Sequence, residues 1–245
     1  MANEYIQQTG TANPFNGIDV GYLSTPTFAD IDGDGDLDAI VGERDGILNY
    51  SKNTGSSTAP VYTAQTGTAN PFNGIDVGAY STPTFADIDS DGDLDAIIGS
   101  RGGTLNYYQN TGSSTAPVYT AQTGTANPFN GIDIGDYSSP TLADIDGDGD
   151  LDAIVGERYG TLFYYTNTGS STAPVYTAQT GTANPFNGID VGFLSTPTLA
   201  DIDGDGDLDA IVGENDGILN YYKNTGSSTA PVYTAQTGTA NPFNG

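Results

Sequence analysis

The nine residues Asp30-Ile31-Asp32-Gly33-Asp34-Gly35-Asp36-Leu37-Asp38 carry five carboxylates. Left bare, such a loop repels itself. A hard divalent cation relieves the repulsion, because Ca²⁺ accepts six to eight oxygen ligands in a flexible shell. Asp30, Asp32 and Asp34 alternate, so their carboxylates can converge as the backbone curls. Gly35, sixth in the loop, allows a sharp turn with positive φ. Asp36 is placed to offer its backbone carbonyl, and Asp38 to close the shell with one or both oxygens. The pattern returns three times, each 57 positions after the last. The candidate metal ligands are therefore also Asp87, Asp89, Asp91, Asp93 and Asp95; Asp144, Asp146, Asp148, Asp150 and Asp152; and Asp201, Asp203, Asp205, Asp207 and Asp209. One Ca²⁺ per repeat, four per chain, is the expectation.

Positions one to seven of the loop follow the logic of an EF-hand, with Gly at six. Position twelve does not: it is Val41, where an EF-hand uses a bidentate Glu. The second copy reads Asp89-Ser90-Asp91-Gly92, which points to a geometric need at six and to mere smallness at four. Mg²⁺ fits less well, since it keeps its waters and demands octahedral geometry. Zn²⁺ and copper want His or Cys, and the chain has neither. The rival reading is a solvated acidic turn, but four unneutralised copies would only cost stability.

The net charge of −26 arises from 31 acidic and 5 basic residues. Twenty of those 31 acids lie in the four loops, so the acidity is mostly loop chemistry. Such a balance excludes a basic nucleic-acid footprint and argues against docking on anionic lipid. No apolar run approaches the ~18 residues of a membrane span, so no insertion is expected. Met1-Ala2-Asn3-Glu4-Tyr5 is polar and has no signal-peptide core. Because cytosolic Ca²⁺ would leave weak sites empty, an extracellular or cell-surface location is expected, with the export signal outside this chain.

The elements that must present the loop repeat with it. Residues 1–17 form a partial repeat, followed by repeats 18–74, 75–131, 132–188 and 189–245, all taken as one domain. The stop at Gly245, within the connection between strand sets, reads as a chosen cut. Each repeat shows four strand-like segments: Ser24–Ala29 before the loop, Leu37–Gly42 after it, Ile47–Lys52 beyond the Asp45-Gly46 turn, and Val61–Gln65. Asn70-Pro71-Phe72-Asn73-Gly74 marks turns in the connection to the next repeat. No window supports a helix. Four short antiparallel strands per repeat predict an all-β fold, a β-propeller of four 57-residue, four-stranded blades. Rows such as Phe28, Leu37, Ile40, Val41, Leu48, Tyr50 and Tyr62 are expected to be buried between blades. Glu4–Gln8 reads as a spare outer strand, since Val232–Gln236 already completes the last blade.

The run Pro26-Thr27-Phe28-Ala29-Asp30 through Asp38-Ala39-Ile40-Val41-Gly42 resembles the FG-GAP/VCBS repeat, in all four periods. That family includes the propeller of integrin α subunits and many bacterial surface proteins. The resemblance implies a four-stranded blade with Ca²⁺ between its first and second strands, held by loop positions one, three, five, seven (carbonyl) and nine. Family propellers commonly have seven or eight blades, so two chains could pair into one eight-bladed ring. The expected function is a non-catalytic, Ca²⁺-stabilised module for surface interaction or adhesion, with a glycan or protein ligand at the variable loops. The alternative is a lectin, with candidate contacts at Tyr22, Tyr80, Tyr137, Phe193 and the Asn16/Asp19 region. A polysaccharide-degrading enzyme using Glu43, Glu157 or Glu214 is a weaker alternative, because near-identical blades build one asymmetric site poorly. Arg44, Arg101 and Arg158 are expected to be solvated hairpin residues.

Overall fold

The computed structural model describes residues 6–243 of the 245-residue chain. Sixteen strands form four sheets. Blade 1 holds β1 Thr25–Ala29, β2 Asp38–Gly42, β3 Leu48–Asn53 and β4 Tyr62–Gln65. Blade 2 holds β5 Thr82–Ala86, β6 Asp95–Gly99, β7 Leu105–Asn110 and β8 Tyr119–Gln122. Blade 3 holds β9 Ser139–Ala143, β10 Asp152–Gly156, β11 Leu162–Asn167 and β12 Tyr176–Gln179. Blade 4 holds β13 Thr196–Ala200, β14 Asp209–Gly213, β15 Leu219–Asn224 and β16 Tyr233–Gln236. Every sheet is antiparallel and runs in sequence order, so the expected all-β propeller of four four-stranded blades is the observed fold. The helical turns among the described residues are three-residue 3₁₀ turns such as Gly67–Ala69, and no helix is long and apolar enough to cross a membrane. Ile6–Thr9 forms no strand, and Glu4 and Tyr5 of the expected spare strand lie outside the described residues.

The chain divides into two compact units. One covers Gln7–Asp133 and holds blades 1 and 2; the other covers Ile134–Gly245 and holds blades 3 and 4. In the first unit the core consists of Ile31, Ile40, Leu48, Tyr50, Phe72, Ile75, Ala96 and Ile98, flanked by Phe85, Leu94 and Tyr119. In the second, Ile145, Ile154, Leu162, Tyr164, Phe186, Ala210 and Val212 play the same parts.

The largest buried side chains are Phe72, Phe129 and Phe186, from the connections rather than the strands. Phe72 meets Tyr50 of blade 1 edge-on at 6.0 Å and stacks on Tyr119 of blade 2 at 4.7 Å. Phe186 repeats this with Tyr164 at 6.1 Å and Tyr233 at 4.4 Å. Each bridges two blades of its unit, a role that the turn-like Asn-Pro-Phe-Asn-Gly segment concealed. Asn70 makes the turn by accepting the Phe72 N–H at 2.9 Å, and it donates to the Leu48 carbonyl at 3.2 Å. That anchors the connection to β3.

The expected buried row holds for Ile40, Leu48 and Tyr50 but not for Phe28 and Leu37, which are 43% and 54% exposed. They lie on the face of blade 1 that no other blade of the unit covers. Their counterparts in blade 2, Phe85 and Leu94, pack against the core because blade 1 lies on that face.

Blades within a unit are joined by backbone as well as rings. Ser81, at the entrance to β5, is fully buried. Its hydroxyl accepts the Glu43 N–H at 2.9 Å and donates to the Ile47 carbonyl at 2.7 Å. Thr25 donates to the Ser81 carbonyl at 2.6 Å. A Cβ on Gly42 would fall inside that carbonyl, so β2 must end in glycine. Ser195 and Gly156 reproduce the junction between blades 3 and 4.

Removing a bridging ring should open a cavity. Phe72→Ala is expected to cost about 3–5 kcal/mol of unfolding free energy. Phe15→Ala, at the equivalent but 37% exposed ring, should cost clearly less. Urea unfolding of the two variants checks the ranking.

Candidate metal centre

The acidic loop leaves β1 and enters β2, so the hairpin that pairs Ala29 with Asp38 brings its two ends together. Inside it, Asp30 acts as the hub. Its carboxylate accepts the Asp34 N–H at 3.1 Å and the Gly35 N–H at 3.0 Å. Asp34 accepts the Asp36 N–H at 3.0 Å. These bonds curl the chain until Asp30, Asp32 and Asp34 each present an oxygen within 4.8 Å of the others. Asp87, Asp89 and Asp91 converge in the same way, as do Asp144, Asp146 and Asp148. In blade 4 the converging set is Asp201, Asp203 and Asp209. Each blade thus holds one carboxylate triad able to bind a metal ion.

The ninth aspartate has a second job. Asp38 is fully buried. It accepts the Tyr50 hydroxyl at 2.7 Å, the Asn53 N–H at 2.7 Å and the Ile31 N–H at 3.4 Å. Asp152 and Asp209 have the same three kinds of donor. Burial pushes the Asp95 carboxyl up to about 6, against the opposing pull of the Asn110 N–H and the Tyr107 hydroxyl. Asp38 and Asp152 are raised for the same first reason, desolvation. Position nine therefore ties the loop to β3, and in blade 4 it also joins the triad. The seventh residues, Asp36, Asp93, Asp150 and Asp207, stand outside the triads, with their N–H groups spent on position five. Asn53 extends the brace: its side-chain oxygen accepts the Gly55 and Val61 N–H groups, both at 3.0 Å.

The backbone corrects one expectation. Position six has φ of +90° at Gly35 and +93° at Gly92, well outside the range of ordinary residues. Position four is left-handed too, at +69° in Gly33 and +58° in Ser90. Ser90 shows that a side chain can sit in the αL well there, so the constraint is conformational and not size alone. Where the next blade's polar loop approaches, space also counts. A Cβ on Gly33 would lie 2.9 Å from Thr115 Cγ2 and 3.0 Å from the Ser114 carbonyl, whereas one on Gly204 would meet open space.

Three observations test whether a cation fits. The donors are all hard oxygens. Asp32 Oδ1 and Asp89 Oδ1 are buried with no hydrogen-bond partner. Finally, the Lys52 ammonium sits against Asp32 and 3.2 Å from Asp34, and Lys223 stands likewise against Asp203 and 3.2 Å from Asp205. A cation thus already stands at the mouth of two loops. The Asp36 N–H and then Lys52 hold Asp34 below its ordinary value. In blade 3, burial and the neighbouring Asp148 and Asp144 push Asp146 up. The residues fit a hard divalent ion.

A second cluster lies on the variable loops of the second unit. Arg158 Nη1 donates to Asp136 at 3.0 Å. Its guanidinium faces three rings: Tyr137 at 5.9 Å, Tyr159 at 5.6 Å and Phe193 at 5.4 Å. Glu157 holds the hairpin that carries them, its carboxylate accepting the Tyr159 and Thr161 N–H groups at 2.8 and 3.1 Å and the Thr161 hydroxyl at 2.6 Å. Glu214 does the same for Asp216 and Ile218. Arg158 is thus a hairpin residue that keeps 37% of its side chain exposed but also has an ion-pair partner and ring neighbours. Tyr137 and Phe193 of the candidate contacts meet here, and Tyr159, which was not among those contacts, joins them. Tyr22, 74% exposed, lies in the other unit, where Asp19 makes a local turn by accepting the Gly21 N–H at 2.9 Å. The residue entering each first strand is left-handed without being glycine: Leu23, Tyr80, Tyr137 and Leu194 have φ of 56–60°.

Strain and crowding at loop position four can be separated. Gly33→Ala is expected to lower the melting temperature more than Gly204→Ala, since both carry the αL cost of about 1–2 kcal/mol and only the first meets a neighbour. Equal shifts would mean that the approach of Thr115 is immaterial.

The FG-GAP-like repeat matches residues 87–155 and 144–212, together just over half of the chain. No curated protein matches. Among solved structures, a lectin of Agrocybe aegerita, studied for specific recognition of non-reducing terminal N-acetylglucosamine, is similar at 20% identity and a TM-score of 0.46, covering 89% of this chain and 52% of its own. BBS1N, solved in complex with ARL6DN and soaked with lead, is similar at 14% identity and a TM-score of 0.37, covering 85% of this chain and 55% of its own. This chain spans about half the length of both. With four acidic loops between the first and second strands of four antiparallel blades, the chain belongs to the FG-GAP-like repeat family.

Proposed function

We propose that this chain is a non-catalytic, Ca²⁺-stabilised recognition module of an extracellular or cell-surface protein, and that its ligand class is carbohydrate. The observation that carries the ligand class is the Arg158 cluster. Tyr159 and Phe193 are 65% and 39% exposed, each with the Arg158 guanidinium over its ring. The C–H face of a pyranose packs on such rings, and an Arg–Asp pair can bond neighbouring hydroxyls. Glu157 braces the hairpin, so little ordering entropy is lost on binding.

Ca²⁺ is the metal that the all-carboxylate triads favour, one per blade. Its part is to neutralise the loop and fix the first hairpin of each blade. Against a hydrolase or lyase stand Glu157 and Glu214, whose carboxylates are occupied in stapling their own turns. For assembly, we propose two copies completing an eight-bladed ring; light scattering should read twice the 25.2 kDa chain mass, and a clean monomer would overturn it.

The recognition reading is tested on a glycan array followed by titration of the best binder. Tyr159→Ala and Arg158→Gln should each weaken binding about tenfold or more, the effect of ~1.4 kcal/mol, with unchanged melting curves. An array without binding would overturn carbohydrate as the ligand.

A further inference from the structure

The four loops are nearly identical in sequence, yet the residue facing them from the neighbouring strand is not. The fifth residue of β3, β7, β11 and β15 is Lys52, Gln109, Thr166 and Lys223 in turn. Lys52 and Lys223 are the only lysines in the chain. Both put their ammonium into an acidic loop, against loop positions three and five. In blade 2 the neutral Gln109 amide donates to Asp89 Oδ2 at 2.6 Å. In blade 3 Thr166 turns the other way and accepts from Gln179 at 2.6 Å.

We propose that Lys52 and Lys223 are resident cations that compete with the divalent ion, so that Ca²⁺ fills the loops of blades 2 and 3 before those of blades 1 and 4. The inference rests on the Ca²⁺ reading of the triads. An ammonium among carboxylates offsets part of their repulsion without metal. To admit Ca²⁺ it must withdraw, and its charge stays near the ion. Blades 2 and 3 have no such competitor: Gln109 offers only a neutral amide to Asp89, and Thr166 is engaged by Gln179 instead of the loop. Room for withdrawal exists in blade 4, where a cavity of about 560 Å³ is lined by Asp201, Asp203, Tyr221 and Lys223. Two blades of the array therefore keep a partly neutralised loop at low Ca²⁺, while the other two respond to the ion first.

Calorimetric titration of Ca²⁺ into the chelator-stripped full chain reads the classes directly. The expected result is two tight and two weaker sites, separated severalfold, because the lysine charges are largely screened by solvent. The Lys52→Gln/Lys223→Gln double variant, which installs the residue of blade 2, should show four tight sites. Gln109→Lys should leave one tight site, and it guards against a double variant that fails to fold. Four equivalent sites in the parent chain, or unchanged classes in both variants, would overturn the lysine inference alone. Absence of Ca²⁺ uptake by every form would instead overturn the Ca²⁺ reading beneath it.

Discussion

Carboxylates cannot be gathered within 4.8 Å of one another unless something answers their charge. This constraint organises each blade. Part of the answer is backbone: the N–H groups of positions five and six turn inward to position one, which forces the left-handed glycines. Part is the neighbouring strand, through the tyrosine hydroxyl and the Asn53 N–H that hold the buried ninth aspartate. The remainder is a cation, lysine in two loops and the proposed Ca²⁺ in the triads. A loop so arranged fixes where β1 ends, where β2 begins and how β3 lies against both.

From that fixed hairpin the packing of each unit follows. The blade presents Ile40 and Tyr50 on one face, and a single connection phenylalanine closes the gap to the next blade. Ring stacking and the Ser81 junction work at opposite kinds of contact, one apolar and one hydrogen-bonded, and both recur in the second unit at Phe186 and Ser195. Repetition of the sequence is thus repetition of an interface. The proposed recognition falls to the variable loops: Asp136, Tyr137, Arg158, Tyr159 and Phe193 meet in one place, and no other blade carries that combination.

The strands and the acidic loop were legible in the sequence because both are local patterns repeated at a fixed period. The strand ends at Gly42 and Gln65 matched, and the starts moved by a single residue. Phe72, Ser81 and Asn53 were not legible as structural centres, since each looks like loop chemistry until the register brings a distant partner. Ser81 is buried by residues 34 and 38 positions away. Phe28 and Leu37 were misplaced for a related reason: periodicity shows which face of a strand is apolar but not which blade has a neighbour on that face. Lys52 and Lys223 read as strand residues, and only the pairing of β2 with β3 turns them toward the loop.

The central claim is that a divalent ion completes the charge balance of these loops and thereby holds the blades. Scanning calorimetry of the full chain in millimolar Ca²⁺ and in excess EDTA tests it most directly. Each site saturated at about 100 times its Kd adds ~2.7 kcal/mol, which for a chain of this size raises the melting temperature by roughly 5–10 °C. The account predicts a rise of at least that size in Ca²⁺, reversed by EDTA. Superimposable melting curves would contradict it.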